Sequence, residues 1–316
     1  MGAGAETGPH VPVLLAETLD ILQPQRGGVF VDCTLGAGGH CRAILRGLPD
    51  DARLFAVDQD ERAHEEARRS GLADDPRVVL LRGNFEDIAG LLDAYGVTKV
   101  DGLLADFGMS SMQLDEPGRG FSFRRDEPLR MVMDQHADFD ASDWLAEVEQ
   151  SELADVIYRY GDERASRRIA AALVAARPVE TTGQLAEVVC AALKRWPRQG
   201  QKHPATQVFQ AIRIAVNREL EVIEKLLESL PALLAPSGIA ALISFHSLEH
   251  RAVKLWMRQE TVDDYGPPRA ALREPLRYRR FDALTRKPLR PGDDELLANP
   301  RSRSAQLRGV RLLEPS

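Results

Sequence analysis

The sequence predicts an α/β fold, a mostly parallel Rossmann-like sheet interrupted by an inserted all-helical subdomain. Three observations predict it. Short β-rich apolar runs alternate with helix-like stretches over the first third of the chain, this rhythm stops after Ser111, and a buried strand returns only at Gly238 to Phe245. Strands separated by helices imply right-handed crossovers and a sheet covered on both faces.

The elements follow in order. Val29 to Asp32 (VFVD) ends in a glycine-rich turn, and Arg53 to Asp58 (RLFAVD), Arg77 to Leu81 (RVVLL) and Val100 to Ala105 (VDGLLA) repeat the strand pattern. Helices are predicted between them, near His40 to Leu48, Glu61 to Ser70 and Phe85 to Tyr95. From Met112 to about Pro204 the chain holds no buried strand. A loop rich in Gly, Arg and Phe (GRGFSFRRDEPLR) precedes Leu145, Val148, Leu153, Val156, Ile157 and Tyr160, which fall at helical spacing. One long helix is then predicted, with Phe209, Ile212, Val216, Leu220, Ile223, Leu227 and Leu230 on a stripe that Pro231 stops. After the strand GIAALISF comes a helix SLEHRAVKLWMRQE, with Ser247 as its cap, and a last strand at Gln306 to Leu312. Residues 1–111 and 205–316 are therefore expected to form a split sheet domain, and residues 112–204 the insert.

The 316 residues carry 41 Lys+Arg against 48 Asp+Glu, a net charge of −7, and 44% are hydrophobic. No apolar run approaches the roughly 20 residues of a membrane helix, and MGAGAETGPHVPVLLAE has no basic segment before its short apolar stretch. Cys33, Cys41 and Cys190 are odd in number and lack metal-ligand spacing. These features predict a cytoplasmic protein with no membrane partner and no metal. The acidic total argues against a nucleic-acid partner only until its distribution is read. Lys194 to Arg218 holds six basic residues and no acid, and the stretch from Gly266 to the end is +6. The first 265 residues therefore carry −13.

Four clusters can carry chemistry. In VDCTLGAGGH (Val31 to His40), glycines between a strand and a helix bring backbone amides close to a ligand. Asp58 closes the next strand, where a carboxylate accepts hydrogen bonds from ribose hydroxyls, so the pair reads as an adenosine-type cofactor site. Cys41 stands where the dinucleotide fingerprint has its third glycine, which weakens NAD and leaves S-adenosylmethionine. The second cluster, LLADFGMSSMQLD, puts Asp106 just past the fourth strand, at the pocket mouth. The exocyclic amine of a nucleobase is a poor nucleophile, and an acceptor that holds its N–H groups can orient it and disperse the charge that grows as a methyl arrives. Phe107 either stacks on a base or packs. The third cluster is HPATQVFQAIRIAVNREL. The fourth, ISFHSLEHRAVK, lacks the G-x-S-x-G elbow of a hydrolase, and His246 and His250 lack the H-E-x-x-H context of a metal site.

Together with HVPVLLAE, DQDERA, SSMQLDEPGRGFSF, YGDERASRRIA, TRKPLRP and NPRSRSAQLR, these clusters resemble the bacterial ribosomal RNA small-subunit methyltransferase H (MraW) family over nearly the whole chain. The resemblance implies a class I S-adenosylmethionine-dependent methyltransferase that N4-methylates a cytidine in the decoding centre of 16S rRNA, in an assembled or nearly assembled small subunit. It implies cofactor contacts from Gly38, Gly39, His40, Asp58, Phe85, Asp106 and Gln113, with Asp106 also catalytic. The basic stretch then becomes the expected RNA contact, through Arg198, Lys202, His203 and Arg213. Where the family has PLDMRMD this chain has PLRMVMD, so Arg130 and Val132 replace an Asp and an Arg. SFHSLEHR, HPATQ and DFGMSS depart in the same way from SFHSLEDR, HPATR and DLGVSS. The altered loop motivates a second hypothesis, a ribosome-assembly factor that binds the cofactor without catalysis. An NAD-dependent oxidoreductase is a third.

Overall fold

The computed structural model describes residues 12–198, 200–266 and 274–314. The chain divides into two compact units, the first formed by the chain up to Gly108 and from Val222 onward, the second by Met109–Glu221.

The first unit begins with α1 (Leu15–Leu22) and then alternates β1 (Val29–Asp32), α2 (Gly39–Gly47), β2 (Arg53–Asp58), α3 (Glu61–Arg69), β3 (Val78–Arg82), a 3-10 turn at Phe85–Asp87, α4 (Ile88–Asp93) and β4 (Val100–Asp106). The four strands are continuous apolar runs rather than alternating ones, because helices cover both faces of a parallel sheet. Phe30, Phe55, Leu54, Leu103 and Leu104 are all fully buried. Gly102 pairs with Phe30 across β1 and β4. A Cβ on Gly102 would lie 2.3 Å from the Phe30 ring, so only glycine lets that ring lie across the neighbouring strand.

The second unit is helical: α5 (Ser111–Asp115), α6 (Ala141–Glu147), α7 (Gln150–Gly161), α8 (Ser166–Ala175), α9 (Thr182–Leu193) and α10 (Thr206–Val216). Its core contains Leu145, Leu153, Ile157, Ile169, Leu185, Val208, Phe209 and Ile212. The boundary expected at residues 204/205 falls too early. Helix α10 belongs to this unit because Val208, Phe209 and Ile212 complete its core, and because Gly161 on α7 admits the Gln207 carbonyl, which a Cβ there would meet at 2.7 Å.

Helix α11 (Glu219–Leu233) carries the chain back to the first unit, followed by β5 (Leu234–Ser244), α12 (Ser247–Glu260), β6 (Phe281–Ala283), α13 (Asp293–Ala298) and β7 (Gln306–Leu312). The single long helix expected from the apolar stripe is thus two helices. Arg218 adopts a left-handed φ of 51° between them, and Pro231 lies inside the last turn of α11 instead of ending it. The seven strands form one sheet in the order β3-β2-β1-β4-β5-β7-β6. Strands β1 to β5 are parallel and β7 runs antiparallel to both β5 and β6. Leu226, Leu227, Leu230, Val253 and Met257 pack with the strands in one core.

Overfilling a packed strand pair costs about 1 to 3 kcal/mol. Gly102→Ala should therefore lower the urea midpoint of the sheet unit by a corresponding amount. An unchanged midpoint would remove the close approach of Phe30 as a constraint on the sheet.

Candidate functional site

The strand order reverses between β1 and β4, and in open parallel sheets the crevice beyond the carboxyl ends at such a reversal is where ligands bind. The residues there are tied to one another. Asp32, at the end of β1, is completely buried. Its Oδ1 accepts from the Thr34 amide (3.0 Å) and hydroxyl (3.2 Å), and its Oδ2 accepts from Cys41 Sγ at 3.1 Å. The Thr34 Oγ1 in turn accepts from the Asp106 amide at 2.8 Å. The end of β4 is thereby fastened to the turn that follows β1. Gly38 stands as the N-cap of α2 with φ 74°, a left-handed conformation that glycine adopts without strain. Asp58 Oδ2 accepts from the Gly36 amide and Oδ1 from the Asp60 amide, both at 2.9 Å.

The first unit therefore brings together six of the seven expected cofactor residues: Gly38, Gly39, His40, Asp58, Phe85 and Asp106. Burial pushes the Asp58 carboxyl up to about 6, against the opposite pull of its two amide donors. A carboxylate has about four acceptor sites, so acceptors remain for ribose hydroxyls. Half-buried Phe85 lies 6.0 Å from Phe107 in a tilted pair and offers an apolar face to a purine. Phe107 itself is 2% exposed and belongs to the core, so of its two expected roles packing is the one realised.

Asp106 differs from its neighbours. Its Oδ1 is buried and has no hydrogen-bond partner among the described residues. Burial above all, then the charges of Asp32 and Glu249, holds its carboxyl well above the usual range. A buried acceptor without a partner is costly and points to a ligand group that satisfies it. His40 Nε2 lies 3.0 Å from the Val13 carbonyl, which can only accept, so Nε2 carries the proton. The other ring nitrogen, Nδ1, lies 3.8 Å from Asp106 Oδ2. The expected S-adenosylmethionine fits this set of donors and acceptors.

The turn into α12 is built by a residue to which the sequence assigns no role. Glu249 is fully buried, and its Oε2 accepts from the amides of Phe245 (2.6 Å) and His246 (3.2 Å). His246 therefore occupies the N-cap position, and Ser247, the expected cap, is the first residue inside the helix. His250 Nδ1 is engaged with Ser244 Oγ at 2.7 Å.

In the second unit Gln113 is 6% exposed and closes a capping box on α5. Its Oε1 accepts from the Ser110 amide at 3.0 Å, and its own amide donates to Ser110 Oγ at 3.2 Å. The altered PLRMVMD loop is held through its backbone. Arg119 donates to the carbonyls of Val132 (3.2 Å) and Met133 (3.0 Å). Asn217 donates to the Met131 carbonyl (2.7 Å) and accepts from the Met133 amide (2.9 Å). Leu129, Met131 and Met133 fill the core, while Arg130 sits 3.9 Å from Asp140.

The four expected RNA contacts separate. Arg198 and Lys202 are exposed in the segment between α9 and α10. His203 stacks on Phe123 at 4.3 Å and its Nδ1 accepts from the Ala205 amide, and burial lowers its pKa. Arg213 is not an available cation: its Nε and one terminal nitrogen each reach a Glu219 oxygen at 2.7 Å, in a largely buried bidentate pair. The acid that neutralises Arg213 lies just beyond the end of the acid-free stretch.

Residues 7–313 match the family model described as the MraW methylase family. The chain is 45% identical over 311 residues to the ribosomal RNA small subunit methyltransferase H of Acinetobacter baumannii, covering 96% of this chain and 98% of the relative. It is 44% identical over 312 residues to the protein of that name from Nitrosomonas europaea, with coverage of 96% and 98%. The Symbiobacterium thermophilum protein, also so named, is 45% identical over 312 residues, with coverage of 96% and 97%.

Two outcomes are expected from this geometry. The ribose contact expected of Asp58 would use its carboxylate form, and burial pushes that carboxyl up to about 6. Calorimetric affinity for S-adenosylmethionine should accordingly fall as pH drops through 6, by up to about tenfold per unit, with Asp58→Asn weaker and flat. A flat wild-type profile would contradict this. Removing one partner of a buried ion pair costs about 3 to 5 kcal/mol, so Arg213→Ala should markedly lower the melting temperature while leaving the salt dependence of RNA binding unchanged.

Proposed function

The chain belongs to the MraW methylase family, and from that premise we propose that it is an S-adenosylmethionine-dependent methyltransferase that N4-methylates a cytidine in the decoding centre of 16S rRNA. Its substrate is the assembled or nearly assembled small ribosomal subunit, in the cytoplasm. The observation that carries the reading is Asp106, whose unpartnered Oδ1 stands at the strand reversal beside the glycine turn and Asp58.

Bound S-adenosylmethionine supplies an electrophilic methyl group on a sulfonium. The protein's task is to hold a weak nucleophile in line with it and to receive a proton. A cytosine N4 amine has its lone pair delocalised into the ring and presents N–H groups, which Asp106 Oδ1 can accept. Transfer of the methyl from sulfur to nitrogen would leave the nitrogen cationic, with one proton to lose. Asp106 suits that step because its surroundings raise its affinity for a proton. The backbone bond to Thr34 fixes where the carboxyl starts, and His40 stands over its second oxygen. No redox step and no covalent enzyme intermediate is needed. The altered PLRMVMD loop does not favour the non-catalytic reading, because its anchors Arg119 and Asn217 bond to backbone atoms and do not depend on the side chains at 130 and 132.

The test is transfer of labelled methyl groups from S-adenosylmethionine to purified small subunits, with the product identified as N4-methylcytidine. Asp106→Ala should abolish transfer and Asp106→Asn should reduce it by about 10²- to 10³-fold, with wild-type melting behaviour in both. Near-wild-type turnover by Asp106→Ala would remove its assigned role.

A further inference from the structure

Helix α9 ends at Leu193 and is capped by Lys194, which takes a left-handed φ of 53°, and the chain then runs through KRWPRQGQK before Pro204. Every described residue from Lys194 to Lys202 is exposed. At the centre of this segment Trp196 is 61% exposed, although an indole is among the side chains most strongly driven from water. Pro197 restricts the backbone of Trp196 to extended conformations and so limits how far the ring can fold back.

Four cations crowd the same nine residues, and they differ from the paired arginines of this unit. Arg119, Arg213 and Arg218 are paired with Glu116, Glu219 and Glu221, and Arg130 faces Asp140. The side chains of Lys194, Arg195, Arg198 and Lys202 have no such partner among the described residues. Four uncompensated cations thus flank one exposed planar ring.

We propose that the segment from Lys194 to Lys202 is a docking site for an unpaired stretch of RNA, in which the Trp196 indole stacks on one base and the four cations neutralise the neighbouring phosphates. The proposal rests on the reading of RNA as substrate and specifies its form. Single strands offer what this surface complements, a repeating anion together with bases whose faces are open to aromatic stacking. Duplex RNA offers the same phosphates but keeps its base faces covered. The local surplus of cations selects an anionic partner although the whole chain is −7.

The test uses the full-length protein, a short unstructured RNA, the same sequence as a duplex, and vesicles containing anionic lipid. Trp196→Ala should weaken binding of the single strand about tenfold. Trp196→Phe should restore it to within about threefold, and duplex affinity should be the same for all three proteins. Replacing Arg198 and Lys202 by Gln should reduce the slope of log affinity against log salt by about 1.4, at roughly 0.7 for each phosphate no longer neutralised. Cofactor affinity should be unchanged throughout, which shows that the variants are folded. Unaltered single-strand affinity in Trp196→Ala would overturn the proposal. So would failure of Phe to rescue, or a loss confined to vesicle binding. Methyl transfer by the wild-type protein reports separately on the catalytic reading. Its absence alongside intact Trp196-dependent RNA binding would sink only that reading, whereas transfer with no Trp196 effect on RNA binding would sink only this one.

Discussion

A threonine hydroxyl has one proton to give. Thr34 donates it to Asp32 Oδ1 at 3.2 Å, and its remaining lone pairs accept the Asp106 amide at 2.8 Å. This short relay decides where the end of β4 lies relative to the turn after β1, and the other features of the sheet's open end are referred to it. Asp32 is buried with its oxygens engaged, so it cannot swing to another partner without leaving a polar group unsatisfied. The same turn delivers the Gly36 amide to Asp58 and starts α2 at Gly39. Asp106, through its amide, and Asp58, through its carboxylate, are thus tied to the same turn, and none of these hydrogen bonds uses Asp106 Oδ1.

Charge is organised by what it faces. Many of the abundant arginines work as internal fasteners: Arg119 holds the loop at Val132 and Met133, Arg213 grips Glu219, and Arg280 meets buried Glu260 at 2.6 Å. The guanidiniums of Arg119 and Arg213 are largely buried in these contacts and unavailable to phosphate. The four cations around Trp196 are unpaired and lie in one short segment, so a net charge of −7 coexists with a focused basic surface. A protein built in this way gains little from indiscriminate attraction to RNA, and its affinity must come from a target of suitable shape.

The strands of the sheet were legible because each is a β-rich apolar run closed by turn residues, and the glycine turn with Asp58 was legible because both sit at strand ends. What escaped has physical reasons. The apolar stripe from Phe209 to Leu230 continues across Arg218, and periodicity does not register a single left-handed residue, so two helices read as one. Strand β5 starts at Leu234, ahead of the expected Gly238, because Pro236 and left-handed Ser237 disguise its first residues. The three-residue β6 is too short to leave a pattern. Arg213 looked like a phosphate ligand because sequence displays a charge without its partner. Asp32, Thr34, Glu249 and Asn217 were overlooked because their roles lie in backbone amides and carbonyls brought near by folding. The exposure of Trp196 is likewise invisible before the fold is known.

We propose that this arrangement N4-methylates a 16S rRNA cytidine. The most direct measurement is mass spectrometry of nucleosides from small-subunit rRNA of cells with and without the gene. N4-methylcytidine should be present in the decoding-centre fragment of the first and lost from the second. The same level of N4-methylcytidine in both would contradict it.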